Sequence, residues 1–310
     1  MNSSAEQLSS GILFSIILPV YNTGAILQET IDSVLNQTCR NIELIIVDDG
    51  SSDPVTARIL SNQSDDRIKI IRQANAGVAA ARNQGIVHAQ GRYIAFLDHD
   101  DLYLPEKLEK TLNLFQLRQD AVLVYSDTIP FGSFQNRRIE LEKAEGRVFS
   151  VVIRQNPILS MSCSVVDRTF LDEHNIKFNT DCVPCDDWDF HLQCALHGSI
   201  YCTAEPLVKY RYHDNNLSSN AIKMYYAGIN VINKYQNMIA DISLQSGISR
   251  RELQESLNFI AFKHYYGLAF EYLKTHEYTL ALRNMLKALG CSPLKCVGRI
   301  LRFLCKKVVK

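Results

Sequence analysis

No run of eighteen or more apolar residues occurs in this chain of 310 residues, so no membrane-crossing helix is expected. There is no excess of charge of either sign. The 33 Lys and Arg balance 33 Asp and Glu, which argues against a nucleic acid or other polyanion as partner of the chain as a whole. There is no cysteine framework either: nine cysteines are scattered without repeats, so the expectation is reduced thiols in a cytoplasm. Cys182 and Cys185 form a lone C-x-x-C around Pro184, with no second pair at zinc-binding spacing, which disfavours a zinc or redox role. The first ten residues lack the basic start and apolar core of a targeting peptide, and 1–12 reads as a flexible polar tail. No G-x-G-x-x-G follows the first predicted strand, which disfavours a dinucleotide enzyme. What remains is an ordinary globular composition, 46% hydrophobic and 21% charged.

The most informative stretch is Leu97-Asp98-His99-Asp100-Asp101. It follows Arg92 to Leu97, which is apolar and aromatic enough for a buried strand. Clustered carboxylates repel one another unless a cation or donor sits among them. Such oxygen-rich sites suit Mg²⁺ or Mn²⁺, often shared with substrate phosphates. The residues alone therefore point to a metal–diphosphate site centred on Asp98 and Asp100. The plainer alternative is an acidic loop capping the helix after Pro105.

Strands predicted at Phe14–Val20, Ile42–Val47, Ile68–Ile71, Arg92–Leu97 and Ala121–Tyr125 alternate with helices at Ala25–Gln37, from Pro54 with Asp53 as cap, Gly77–Gln90 and Pro105–Arg118. That alternation predicts an α/β fold, a mostly parallel sheet with helices on both faces. Ligands then bind beyond the carboxyl ends of the strands. Tyr21-Asn22, Asp48-Asp49 and Asp98 to Asp101 each follow a different strand end. Further on, Ser126–Gly146 reads as loop or hairpin with Arg137-Arg138 exposed, Arg147–Gln155 as helix, Ser160–Val166 as strand and Asp186–His197 as helix. Ile200–Thr203 and Leu207–Tyr212 read as two strands, and the rest as helices. The division is 1–12 tail, 13–217 catalytic domain and 218–310 helical region.

These motifs resemble those of family 2 glycosyltransferases, inverting enzymes of the GT-A fold. The resemblance rests on Ile17 to Asn22, Val47 to Asp53, Asn75-Ala76-Gly77 through Asn83, Phe96 to Asp101, Asp186-Asp187-Trp188 and Tyr210 to His213, in that order. It implies transfer of a sugar from a nucleotide donor, UDP-linked by preference, to a glycan or lipid-linked acceptor in cell-surface polysaccharide or glycolipid synthesis. Pro19, Tyr21 and Asp49 would line the nucleoside pocket, with Asp48 satisfying local backbone donors. Arg82 would hold a phosphate, or be a solvated helix arginine. Asp98 would lie near the ribose and Asp100 would bind Mn²⁺ or Mg²⁺. His99 reads as a spacer, and His213 as a further metal or phosphate ligand or an exposed turn residue. Asp187 would be the general base, although the family's usual Glu-Asp is Asp-Asp here and Asp186 and Asp189 stay open. Trp188 would shield the site, stack on a sugar, or be plain core. A non-catalytic nucleotide-sugar-binding or scaffolding relative is the alternative reading.

The segment Ala261–Leu289 looks like one tetratricopeptide-type helix pair, which needs another surface to pack on. The last twenty residues, 291–310, interleave six Lys and Arg with apolar residues and contain no acid. A basic amphipathic helix of this kind can lie on an anionic membrane. The expectation is a cytoplasmic protein whose last helix either holds it peripherally on the inner face of the plasma membrane or packs its apolar side on the domain and leaves its charges solvated.

Overall fold

A computed structural model describes residues 11–133, 143–213 and 216–292. The chain runs β1 (Phe14–Val20), α1 (Ile26–Leu35), β2 (Ile42–Asp48), α2 (Pro54–Ser61), β3 (Ile68–Arg72), α3 (Val78–His88), β4 (Tyr93–Phe96), β5 (Leu102–Tyr103), α4 (Lys107–Leu117) and β6 (Ala121–Gly132). It continues through α5 (Phe149–Arg154), β7 (Ser164–Asp167), α6 (Arg168–His174), α7 (Asp186–His197), β8 (Ser199–Tyr212), α8 (Ala221–Asn237), α9 (Ile239–Ser246), α10 (Arg250–Lys274) and α11 (Tyr278–Cys291).

The described strands form one sheet in the order β3-β2-β1-β4-β7-β6-β8-β5. Every residue of β1 and of β2 is buried, as continuous apolar strands covered on both faces must be. β1 to β4 are parallel to one another, and β6 is parallel to β8. β7 runs against β4 and β6, and β5 runs against β8. The sheet is mostly parallel, as expected, with four parallel pairings and three antiparallel ones. Because β7 alone is reversed between β4 and β6, its amino end meets the carboxyl ends of the other central strands. That geometry brings Ser160 and Ser162, just before β7, to the edge where the acidic turn lies.

Four local expectations change. β6 does not stop at Tyr125 but continues to Gly132, held by parallel pairing of Asp127–Gly132 with Pro206–Tyr212. That partner lies some eighty residues away, so no local pattern announces it. The two strands expected after Ile200 are one strand, β8, with Ala204 at φ 59° where its register against β6 shifts. The strand expected from Ser160 begins only at Ser164, after a 3-10 turn at Met161–Cys163 capped by the Ser160 hydroxyl. α6 and the two-residue β5 were not anticipated. Residues 1–10, Arg137-Arg138 and 293–310 lie outside the described residues.

α2 starts as its sequence dictates: Pro54 opens it and Asp53 Oδ2 accepts from Thr56 N–H at 2.7 Å. α3 has few large apolar residues, and close approach replaces bulk. Gly85 faces β1 so tightly that a Cβ there would lie 2.4 Å from Ile17 Cγ2. The C-terminal helices share the main core: Val231, Ile232, Tyr235, Leu257 and Ile260 belong to the same apolar cluster as β1 and β4. The helix pair α10–α11 packs through α10 on α5 and α8, as a single such pair requires.

Replacing Gly85 by Ala forces Ile17 or α3 to move. We expect a loss of about 1–3 kcal/mol in urea unfolding, whereas Gly290→Ala, helical and with open space around it, leaves the midpoint in place or raises it.

Candidate active site

The site begins with β1 and β2. Tyr21, directly after β1, is 47% exposed, so its ring is open to a ligand and is not a core tyrosine. Pro19 is buried within β1, opposite Val47. Asn22 adopts φ 48° and its side-chain oxygen accepts from Ser52 and Asp53 N–H, tying the two strand ends together. Asp48 turns inward, accepting from Ser51 N–H at 2.8 Å, the local role expected of one of the two acids. Asp49 is also engaged. Its Oδ1 accepts from Gln73 Nε2 and Ala76 N–H, and its Oδ2 from Gly77 N–H at 2.9 Å. It therefore fixes the Asn75-Ala76-Gly77 turn that opens α3, and Oδ2 retains a lone pair for another donor.

Arg82, on the buried face of α3, is the centre of the site. Its Nη2 donates to Asp98 Oδ1 at 2.5 Å and its Nη1 to Asp186 Oδ2 at 2.7 Å. Its plane lies 5.2 Å from the Phe178 ring, and Nε has no hydrogen-bond partner among the described residues. Burial works against the guanidinium charge, but Asp98 and Asp186 outweigh it, and its pKa is raised. Arg82 was expected to clamp a phosphate. Each terminal nitrogen donates to one carboxylate, which ties the acidic turn to α7, and further N–H groups of the guanidinium, Nε–H among them, are left for another acceptor.

The acidic turn is held from three sides. Thr30 Oγ1 donates to the carbonyls of His99 and Asp101, and His99 Nδ1 is 2.9 Å from Thr23 Oγ1. Asp101 is fully buried; it accepts from Ser162 Oγ at 2.6 Å and from Arg211 N–H at 2.9 Å. Burial, then Asp100 and Asp98, raise its pKa. Asp101 is thus a strut joining the turn to β7 and β8, and Ser162 also accepts from Asp98 N–H. Neither Ser160 nor Ser162 was singled out in the sequence, because the reversed strand that delivers them has no local signature.

Asp100 Oδ2 lies 2.8 Å from His213 Nε2 at the end of β8. Among the described residues no three His, Cys, Asp or Glu converge on one point. A pair fits a hard cation that takes its other ligands from a diphosphate and water. Two adjacent ligands of an octahedral Mg²⁺, each at about 2.1 Å, stand about 3 Å apart. In this structure the Asp100–His213 contact is a hydrogen bond, and a cation between them would take the place of its proton.

At the amino end of α7 the three candidate acids separate. Asp186 is buried on Arg82. Asp189 is fully buried, with both oxygens on Lys234 Nζ at 2.7 and 2.8 Å. Asp187 is half-buried; one oxygen accepts from Trp188 N–H, and the other has no hydrogen bond among the described residues. Burial, reinforced by Asp186 and opposed by Arg82, pushes the Asp187 pKa up to about 7. A carboxyl of that kind can exchange a proton at neutral pH. Trp188 is a packing residue here. Its Nε1–H donates to Val152 O at 2.8 Å, and its ring lies parallel to His264 of α10 at 6.1 Å.

The acidic turn after β4 and the amino end of α7 thus meet through Arg82 at the carboxyl edge of the sheet, where open α/β folds bind their ligands. The chain belongs to glycosyl transferase family 2, whose model matches residues 15–174. An uncharacterized glycosyltransferase of Haemophilus influenzae is 34% identical over 234 residues, covering 73% of this chain and 90% of that protein. The minor teichoic acid biosynthesis protein GgaB of Bacillus subtilis is 33% identical over 178 residues, covering 54% of this chain and 19% of that one. The fold resembles that of S. aureus TarS 1–349, solved with UDP-GlcNAc, at a TM-score of 0.69 and 16% identity, covering 92% of this chain and 82% of that one. No described helix is long and apolar enough to cross a membrane.

Arg82→Ala leaves Asp98 and Asp186 facing each other without their cation. We expect a loss of about 3–5 kcal/mol in urea unfolding at pH 7, partly recovered by adding Asp186→Asn.

Proposed function

We propose that this chain is an inverting transferase that moves a sugar, hexosyl in the first instance, from a UDP-linked donor to a hydroxyl of a glycan or lipid-linked acceptor, in the synthesis of a cell-surface polysaccharide or glycolipid. The observation that carries the reading is the pairing, across Arg82, of an acidic turn suited to a diphosphate with a carboxylate whose proton affinity is near neutrality. The TarS structure with UDP-GlcNAc supports UDP as the donor nucleotide, and the GgaB relative supports a cell-wall polymer as the product class.

Tyr21 would pack on the uracil, and Asp49 Oδ2 would accept from its N3–H. Asp98, held by Arg82, would face the ribose. Asp100 and His213 would hold Mn²⁺ or Mg²⁺. The bound cation supplies charge neutralisation for the departing diphosphate. Asp187 would take the proton from the acceptor hydroxyl as its oxygen bonds to the anomeric carbon, while the bond from that carbon to the β-phosphate oxygen breaks. One in-line displacement inverts the configuration and releases UDP. In this reading the protein works at the cytoplasmic face of the plasma membrane, with 291–310 against the bilayer.

The test is donor binding and turnover across a panel of nucleotide sugars, with and without Mn²⁺. One UDP-sugar should turn over in a Mn²⁺-dependent way, and Asp100→Ala should abolish that dependence. Failure of every nucleotide sugar to bind, with or without Mn²⁺, contradicts the proposal. Asp187→Asn should lower kcat by about 10²–10⁴-fold while donor binding persists. Because the base must be ionised, wild-type kcat/KM should rise with pH through about 7 and level off above it. A profile flat from pH 5 to 9 speaks against Asp187.

A further inference from the structure

The inner face of α11 packs on α10 through Ala281, Asn284 and Ala288. Its outer face carries a different pattern. Tyr278, Leu282 and Leu286, spaced i, i+4, i+8, form one row along the helix and are 63%, 63% and 60% exposed. Arg283 and Lys287 stand beside that row, exposed and one position on. An aromatic and two leucines in a row at that exposure mark an interaction surface, since scattered exposed leucines need no explanation but an ordered row does.

Charge identifies the occupant. From Tyr278 to Lys310 the sequence contains Arg283, Lys287, Lys295, Arg299, Arg302, Lys306, Lys307 and Lys310, and no Asp or Glu. A second copy docking through the same face would set Arg283 and Lys287 against their own counterparts. The chain's own residues beyond 292 would bring further cations to the same place. Like charges at either contact repel. A soluble polyanion would match the charge but make no use of Leu282 and Leu286. An anionic bilayer matches both features, taking apolar side chains into the acyl boundary and basic ones at the headgroups.

We propose that the outer face of α11 is a docking surface for anionic lipid bilayers, seated through Tyr278, Leu282 and Leu286 and flanked by Arg283 and Lys287. This deepens the reading of 291–310 as a membrane contact. It moves part of the contact onto a helix that is rigidly packed on the body of the protein.

The test is flotation of the full-length chain with vesicles of phosphatidylglycerol and phosphatidylcholine, against pure phosphatidylcholine. The comparison is with Leu282→Asn/Leu286→Asn and with Arg283→Gln/Lys287→Gln; all four positions are exposed, and equal thermal midpoints confirm folding. We expect binding to the anionic vesicles only. The leucine pair should weaken it roughly tenfold or more, and the basic pair should weaken it most at low salt. Absence of binding to anionic vesicles overturns both this inference and the reading of 291–310. Binding that the leucine pair leaves unchanged overturns the α11 surface alone and leaves 291–310. A dimer in light scattering that Leu282→Asn/Leu286→Asn dissociates assigns the row to a second copy and overturns the proposal.

Discussion

Arg82 sits beneath the strand ends with a carboxylate on each terminal nitrogen, and the rest of the site is arranged around that contact. Asp98 belongs to the turn after β4, and Asp186 to the first turn of α7. The guanidinium is nearly excluded from water, so neither carboxylate can leave without stranding charge in the interior. The constraint therefore joins the acidic turn after β4 to the amino end of α7, where Asp187 stands. It also bears on Asp187, whose proton affinity is raised by burial and by Asp186 and restrained by Arg82. Few substitutions at Asp98, Arg82 or Asp186 can be local in effect, because the three are one network.

The helices after β8 belong to the same mechanical unit. Lys234 of α8 holds Asp189 of α7, Tyr235 packs on Phe149, and His264 of α10 lies against Trp188. α7 is thus pinned on its buried side by Arg82 and on its far side by α8 and α10. The helical region, from the chemistry's side, is the backing that sets where Asp187 stands.

Much of the sheet was legible in the residues. β1, β2 and α7 are near or at the bounds expected from apolar runs and caps, and the polar motifs fall at strand ends because parallel strands place them there. What was not legible depends on partners distant in sequence. β6 runs on past Tyr125 only because β8 pairs with it, and β7 is reversed for reasons no seven-residue window contains. The same holds for the site. Asp98, Asp100 and Asp187 stand out as acids in turns, but the commitment of Arg82 to two carboxylates, and the roles of Ser162 and Lys234, are set by tertiary approach. The two carboxylates that Arg82 meets are likewise set by tertiary approach: a helix-borne arginine looks the same in sequence whichever anion it faces.

Asp187, the base we propose, has its affinity for a proton set by the charges beside it. Asp186→Asn tests this most directly, since it keeps the shape and a carbonyl acceptor for Arg82 while removing one negative charge next to Asp187. Losing that charge lowers the Asp187 pKa and leaves Arg82 a stronger influence on it. The rising limb of kcat/KM against pH should then move below its wild-type position near pH 7. An unmoved limb, or one displaced to higher pH, would contradict the assignment of Asp187 as the base.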